Sequence, residues 1–334
     1  MTVTLRVMGK FLDQPILIAR LGKVVPFGLA GAAGVHTAVV AAQEKTPEKR
    51  LKKGVKTGVI LTSTIASALV APKFASKITG KKLGGGLKQV VKENSKLVDE
   101  FVASATVSEK AKKILNSSKQ KIVTPQDIVV LQKEMKDKNG RKFLDRLIPP
   151  PENVSSKDIF SEIGWLSIVG ACPVVGGILG GVAADTLTGD DWKKGLPNKV
   201  KEGAYQYLAN IFLCNVGAGA ALGILEKNNI KSRTARGLGM LGGIVLTGVI
   251  GGSKIANIIG DKLINPLCGS KCKKHKGDER TPELVDIGLH VDDIATVSLL
   301  SGLKWIEPML PVLYTVSGYR AGIGYRNNEK LNKC

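Results

Sequence analysis

Three residues near the C-terminus have the side-chain types and spacing of a small metal site. Cys268, Cys272 and His275 form a C-x3-C-x2-H pattern in a Gly- and Lys-rich stretch. Structural zinc normally takes four such ligands. Only three are local here, although Cys334 could complete the set, and four lysines between residues 271 and 276 would repel a cation. We expect no metal; unbonded thiols are the leading interpretation and a disulfide is the alternative.

A second group, made of Glu283, Asp286, His290 and Asp293, is spaced 3, 4 and 3 residues apart and would share one face of a helix. A Thr-Pro pair at 281–282 is typical of a helix start, where acidic side chains complement the helix dipole. Such a face could hold a divalent ion, but it is more often simply solvated. The chain has no phosphate loop, HExxH, GxSxG or kinase signature. We therefore predict that the protein is not an enzyme and has no metal or cofactor.

Four polar or helix-breaking residues lie inside apolar sequence and could line a transport path. His36 is an ionisable residue in an apolar run, Pro173 would kink the helix that contains it, and Asn210 and Asn215 fall in another run. Broken helices near the bilayer midplane line the binding sites of many transporters. The simpler interpretation is a plain kink at Pro173 and side chains that hydrogen-bond between neighbouring helices.

The elements that carry these residues are long stretches without any charged side chain. Five runs lack Asp, Glu, Lys and Arg, namely 24–43, 57–72, 163–184, 203–225 and 237–253. A helix needs about 20 apolar residues to cross a hydrocarbon layer about 30 Å thick. Runs one, three and four reach that length, and runs two and five are short. The pattern predicts an all-α, polytopic membrane protein with five or six embedded helices.

Glycine and alanine recur four residues apart along these runs. In lipid, helices associate by close backbone approach, which small residues permit. Each helical glycine costs about 1 kcal/mol relative to alanine, so their number indicates that contact geometry matters more than propensity. We predict Gly/Ala-packed helix faces at Gly34, Gly176, Gly177, Gly180, Gly181, Gly239, Gly243, Gly248 and Gly252.

The net charge of +21 indicates an anionic partner. The chain has 39 Lys and only 10 Arg, and aromatic residues make up 4% of it. Lys lacks the planar fork that reads guanine, and few aromatics leave little for base stacking. Anionic lipids are therefore the expected partner, nucleic acid is unlikely, and a homo-oligomer is allowed. The predicted lipid-binding residues are Lys49, Arg50, Lys52, Lys53, Lys81 and Lys82.

The runs divide the chain into three regions. Residues 1–72 hold an amphipathic N-terminal helix over 1–20 and the first apolar pair, and 73–151 form a basic, polar helical insert. Residues 152–334 hold the second membrane region with a C-terminal amphipathic segment. A sixth embedded segment is expected near 294–319. The N-terminal helix suits either the membrane interface or packing on the rest of the protein.

An internal repeat would explain part of this order. At an offset of 180 residues, KFASKITGKKL at 73–83 aligns with SKIANIIGDKL at 253–263, and runs one and two fall on runs four and five. With the N-terminus inside, most basic segments obey the positive-inside rule. The linker 44–56 does not, since it has six cations and two acids. Runs one and two could therefore form a re-entrant hairpin instead of crossing.

Three functions fit these features. The first is a non-enzymatic integral membrane protein that organises an anionic bilayer, with its Lys-rich segments on lipid head groups. The second is a solute or ion transporter or channel built on the repeat. The third is a soluble, basic helical protein that binds nucleic acid through residues 73–146.

Overall fold

A computed structural model describes residues 5–81, 83–150, 155–267, 280–288, 305 and 307–325. The fold is all-α: it is 84% helical, with no strand among the described residues. We label the helices α1 (Leu5–Leu12), α2 (Pro15–Ala42), α3 (Pro47–Thr79), α4 (Leu87–Ser104), α5 (Glu109–Ser118), α6 (Pro125–Glu134), α7 (Lys138–Leu147), α8 (Ser156–Leu187), α9 (Trp192–Lys227), α10 (233–267), α11 (Leu284–Gly288) and α12 (Leu310–Ile323).

Five helices are long and apolar enough to cross a bilayer: α2, α3, α8, α9 and the part of α10 from Ala235 to Leu267. They have 28 to 36 residues, which is about 42 to 54 Å of helix at 1.5 Å per residue. The chain is therefore a multi-pass membrane protein. The apolar window of α2 is 11% buried, against 33–44% in the other four, so α2 lies at the edge of the bundle.

The helix boundaries follow ordinary capping chemistry. Thr46 caps α3 ahead of Pro47, and Ser155 forms a capping box with Asp158 at the start of α8. Helix α3 ends at Gly80, whose backbone has the left-handed φ of 72° that glycine adopts without a Cβ clash.

Helix α3 runs antiparallel to α8 along its length. Lys56 near the start of α3 bonds Asp185 near the end of α8, and Lys81 just beyond α3 bonds Glu162 near the start of α8. Helix α3 therefore crosses any bilayer that α8 crosses, and this arrangement argues against the re-entrant hairpin that the charge of linker 44–56 suggested. Two of the cations in that stretch are instead neutralised, because Lys52 and Lys56 pair with Asp190.

The sixth embedded segment is shorter than a bilayer crossing. Helix α12 has 14 residues, about 21 Å, and follows a single 3₁₀ turn at Glu307–Met309. It packs against α3, α8 and α9 inside the bundle. The part of the expected segment at 294–304 lies outside the described residues.

The insert has a hydrophobic core of its own, made by α4, α5, α6 and α7. Val98, Leu115 and Ile128 are buried there, and the rings of Phe101 and Phe143 stack with centroids 3.9 Å apart. This packing gives residues 87–148 a folded structure next to the membrane bundle.

The N-terminal segment forms two helices, not one. Helix α1 ends at Leu12, and Val7 and Phe11 pack in the core of the insert. The side chain of Gln14 then bonds both the N–H and the C=O of Val123, at 2.8 Å each. The N-terminal helix thus packs on the insert, which was one of its two expected placements.

The bundle has two distinct ends. At the insert end lie α1, the insert, the start of α8 and the turn between α9 and α10. At the far end lie linkers 43–46 and 188–191 and the segment 280–283. Helix α3 extends to Thr79, past residue 73, where the sequence placed the start of the insert.

Helices α2–α3 and α9–α10 are both helical hairpins at the offset of the expected repeat, but they pack differently. In the second hairpin, Gly217 and Gly243 bring the two arms into backbone contact. The residues at the same positions in the first hairpin are Thr37 and Ser63, and Ser63 bonds the backbone of Gly176 in α8 instead. The repeat remains a prediction.

Candidate functional site: ionic clusters within the membrane bundle

Glycine contacts hold the bundle around α8. A Cβ added to Gly177 would lie 1.8 Å from the carbonyl oxygen of Gly318 in α12, and one added to Gly181 would lie 2.1 Å from that of Gly322. On the other side of α8, a Cβ at Gly176 would lie 2.0 Å from Ser67 Oγ in α3. Real Cβ atoms essentially never approach so closely, so only glycine fits at these three positions.

The predicted packing glycines fall into two groups. Eight of the nine have neighbours too close for a Cβ; besides the three above, Gly180 faces α3, Gly239 faces Leu225, Gly243 faces Gly217, Gly248 faces Cys214 and Gly252 faces Ala209. Gly34 differs, because nothing lies within 4 Å of a Cβ built on it. It lies on the exposed side of α2.

A buried cluster of charged side chains joins α9, α11 and α12. Asp286 is 0% exposed and lies at its centre. Nη2 of Arg280 is 3.1 Å from both carboxylate oxygens of Asp286, and Nη1 of Arg320 is 3.0 Å from one of them. Arg280 also pairs with Glu202, Nε to Oε2 at 3.4 Å, and Arg320 pairs with Glu283.

Aromatic and backbone groups complete this cluster. The guanidinium of Arg280 lies 4.3 Å from the ring centroid of Tyr205 and 5.4 Å from that of Tyr325. The backbone N–H of Glu283 donates to Asp286 at 2.8 Å. Charges taken out of water cost several kcal/mol each unless they are paired and hydrogen-bonded. Here Asp286 accepts from two arginines and from the backbone, which meets that requirement.

A polar stripe of α9 leads into this cluster. Glu202, Gln206 and Asn210 are four residues apart and face the same side of the helix. Gln206 donates to Glu202 at 2.8 Å, and Asn210 donates to Gln206 at 3.0 Å and to Asp286 at 3.1 Å. Asn210 lies in a π-helical stretch at Leu208–Phe212, a local widening that often accompanies functional positions.

A second cluster lies at the far end of the bundle. Asp185 accepts from Lys56 at 2.8 Å and from Lys199 at 2.6 Å. Asp190, in the turn after α8, accepts from Lys52 at 2.5 Å and also pairs with Lys56. These bonds, from Lys52 first and Lys56 next, hold the pKa of Asp190 down at about 2. The cluster ties the start of α3 to the end of α8 and to α9.

Together the two clusters balance their charges. The cations are Lys52, Lys56, Lys199, Arg280 and Arg320, and the carboxylates are Asp185, Asp190, Glu202, Glu283 and Asp286. Five of each sign give no net charge. The pairs link α3, α8 and α9 in one cluster and α9, α11 and α12 in the other.

The acidic group that begins with Glu283 and Asp286 does not form the exposed helix face expected from the sequence. Helix α11 begins at Leu284, after Glu283, and Asp286 is wholly buried among arginines. The expectation of a solvated acidic face is wrong for Asp286. Burial alone would raise the pKa of Glu283, but hydrogen bonds from Tyr325 and Arg320 hold it below its ordinary value. His290 and Asp293, together with Cys268, Cys272 and His275, lie outside the described residues.

The four residues that could line a transport path make contacts with different parts of the protein. His36 meets Tyr319 of α12, with Nε2 and the hydroxyl oxygen 3.1 Å apart. Pro173 packs its carbonyl against Gly318. Asn210 belongs to the ionic cluster, whereas Asn215 donates to the backbone of Ile211 in its own helix.

The predicted lipid-binding residues also fall into two groups, those that are exposed and those that pair with carboxylates. Lys49, Arg50 and Lys53 are exposed near the start of α3. Lys52 is paired with Asp190. Lys81 bonds Glu162 at 2.6 Å and Glu307 at 2.8 Å, and its ammonium lies 3.9 Å from the ring centroid of Trp165. Two of the six, Lys52 and Lys81, are therefore paired with carboxylates of the protein, although Lys52 stays exposed, and Lys82 lies outside the described residues.

Sequence reasoning missed Glu202, Arg280 and Arg320. The four-residue spacing of Glu202, Gln206 and Asn210 is a sequence signal for a polar helix stripe, but the charge-free run was drawn from residue 203 onward. Arg280 and Arg320 carry no local signal, because their partners lie on other helices.

The fold and these clusters define a polytopic α-helical membrane protein with charged clamps inside its bundle and a folded basic insert at one end. The chain matches no protein-family model, no curated protein and no solved structure.

Proposed function

We propose that this is a non-enzymatic membrane protein that anchors and organises an anionic lipid surface. The bundle provides a rigid, multi-pass anchor, since glycine contacts and ionic clamps fix α3, α8, α9 and α12 against one another. The insert provides the cationic surface beside the bilayer.

One observation carries this proposal. Between residues 87 and 148, thirteen Lys and Arg residues are exposed against seven exposed Asp and Glu residues. The insert that displays them is fastened to the segment where the chain enters the membrane, through Gln14 to Val123 and through Arg20, which donates to the backbone of Gln120 at 2.7 Å. Each cation close to an anionic membrane surface contributes about 1 kcal/mol, so such an excess gives a substantial attraction.

The test is lipid preference in a mixed bilayer. The full chain is reconstituted into nanodiscs that contain phosphatidylcholine and phosphatidylglycerol, and the lipids retained after gentle extraction are counted by native mass spectrometry. We expect enrichment of phosphatidylglycerol at low salt and a smaller enrichment at 1 M salt, where the Debye length falls to about 3 Å. Equal retention of both lipids at low salt would contradict the proposal.

A transporter or channel is the second candidate, and the polar stripe of α9 favours it. Ionisable groups within a membrane bundle commonly mark solute or ion paths, and this stripe links Glu202 to Asp286 through Gln206 and Asn210. Proteoliposomes that hold a pH-sensitive or potassium-sensitive dye would report flux. Flux that Asn210→Leu abolishes would favour this function, and flux no greater than in protein-free vesicles would argue against it.

A further inference from the structure

Helix α7 has two sharply different faces. Gly140, Phe143, Leu144 and Leu147 are buried toward the insert core. The opposite face carries exposed cations, namely Lys138, Arg141, Lys142 and Arg146. At 100° per residue these four lie within about 140° of one another, so they form one continuous surface.

Asp145 lies within the arc of these four cations and its side chain is 51% exposed, and Asp137 lies beside the arc, but both carboxylates are already engaged. Asp137 caps the helix, because its Oδ2 accepts from the N–H groups of Asn139 and Gly140 at 3.1 Å each. Asp145 accepts from Lys10 of α1 at 2.8 Å, and Lys10 is itself buried. Other basic stretches of the insert are partly neutralised, as where Lys119 pairs with Asp99.

The attachment of α7 to α1 places this surface near the bilayer. Helix α1 ends three residues before Pro15, where α2 begins, and the charge-free run of α2 begins at Val24. Nine residues of helix correspond to about 14 Å. The head-group layer adds about 7 Å beyond the hydrocarbon, and the Debye length in physiological salt is about 8 Å. By this measure the start of α2, beside which α1 holds α7, lies within electrostatic reach of lipid phosphates.

We propose that the outward face of α7, formed by Lys138, Arg141, Lys142 and Arg146, is the surface by which the insert binds anionic lipid head groups. The proposal rests on the function proposed above and names the site that carries it. This surface is distinct from the sequence-predicted set at 49–53 and 81–82. Its partner is the anionic membrane in which the bundle is embedded, because α7 is held at the end where α2 enters that membrane.

The test compares two variants of the full chain with equal loss of charge. In the first, Lys138, Arg141, Lys142 and Arg146 are each replaced by Gln, which keeps helix propensity close to that of Lys and Arg. In the matched control, the exposed Lys110, Lys112, Lys113 and Lys133 are replaced by Gln. Phosphatidylglycerol is titrated into each protein in neutral detergent, and hydrogen exchange of residues 138–147 is followed in nanodiscs with and without that lipid.

Each cation near the surface is worth about fivefold in affinity, so we expect the α7 variant to bind phosphatidylglycerol at least tenfold more weakly. The control should lose less than threefold, and phosphatidylglycerol should protect residues 138–147 only in the wild type and the control. Protease resistance of the insert verifies that both variants remain folded.

Four results would overturn this assignment. An equal loss in both variants would mean a diffuse charge effect, and an unchanged α7 variant would place lipid binding elsewhere on the protein; in both cases the proposed function stands. Loss of RNA binding in the α7 variant without loss of lipid binding would assign the face to nucleic acid. If the wild type itself shows no preference for phosphatidylglycerol, the proposed function fails together with this site.

Discussion

Replacing Gly177 by Ala tests whether backbone contact between α8 and α12 holds the bundle together. The new Cβ would lie 1.8 Å from the carbonyl oxygen of Gly318 and 2.5 Å from its carbonyl carbon. Real Cβ contacts stay beyond 3.0 Å, so the two helices must separate by about 1 Å. The obstruction is backbone, which cannot rotate away as a side chain can.

The expected cost follows from two opposing terms. Alanine in place of glycine favours a helix by about 1 kcal/mol. Overpacking of a tight contact costs about 1–3 kcal/mol, and separating α8 from α12 also strains the nearby contact between Gly181 and Gly322. We expect Gly177→Ala to destabilise the bundle by about 1–2 kcal/mol.

Gly164→Ala is the matched control, because Gly164 lies in the same helix and has nothing within 4 Å of an added Cβ. That variant should gain up to about 1 kcal/mol. Thermal unfolding in detergent, followed by tryptophan fluorescence, should therefore give a lower Tm for Gly177→Ala than for wild type and an equal or higher Tm for Gly164→Ala. Equal Tm values for the two variants would refute the packing argument.

The remaining predictions concern the polar clamps. Asp286→Asn should lower the free energy of unfolding by about 2–3 kcal/mol, because Arg280 and Arg320 lose a shared buried carboxylate but keep Glu202 and Glu283; chemical denaturation measures this. The ion pairs of Asp190 depress its pKa, so they contribute stability that is complete above the ordinary carboxyl pKa of 3.8 and lost as the pH falls toward about 2. Asp190 is partly exposed, so the loss should be at most about 1 kcal/mol, and Asp190→Asn should remove it from a pH series of unfolding measurements. Gln14→Leu should cost about 2 kcal/mol and expose the insert to limited proteolysis, because it leaves both backbone groups of Val123 without their side-chain partner.

Each of these three predictions has a control variant or a reference measurement. Glu93→Gln, an exposed carboxylate on α4, should change the unfolding free energy by less than 0.5 kcal/mol. If Asp286→Asn costs no more, the buried cluster is not a clamp. Gln120→Leu keeps the backbone carbonyl that Arg20 uses, so it should leave proteolysis unchanged. If wild type and Asp190→Asn lose stability in parallel below pH 4, the Lys52 pair carries no pH dependence.

The insert shows which structural features a local sequence pattern can predict. Apolar residues such as Leu97, Val98 and Phe101 recur at three- and four-residue steps, a pattern typical of the amphipathic helix that α4 forms, and Thr124 with Pro125 is typical of the helix start observed at α6. The same pattern could not show that Phe11 of α1 packs into this core, since that contact joins residues that are distant along the chain.

The charged residues show where local pattern fails. Lys81 and Lys52 looked like unpaired lysines because each lies in a basic stretch, yet both pair with carboxylates from other segments. Asp286 looked like one member of a solvated helix face. The local sequence does not show whether a charged side chain is buried, because burial depends on an oppositely charged partner elsewhere in the chain. The partners of Asp286 are Arg280 and Arg320.

By itself, the sequence determined that this chain is helical and enters a membrane several times, because the length and composition of a charge-free run directly set whether a helix can span a hydrocarbon layer. It also determined that glycine-rich faces are available for close helix contact. Only the tertiary structure decided which glycines meet backbone and which, like Gly34, stay outside the bundle. It also decided which charged side chains pair within the bundle and which stay exposed, because those outcomes depend on contacts between residues far apart in the chain.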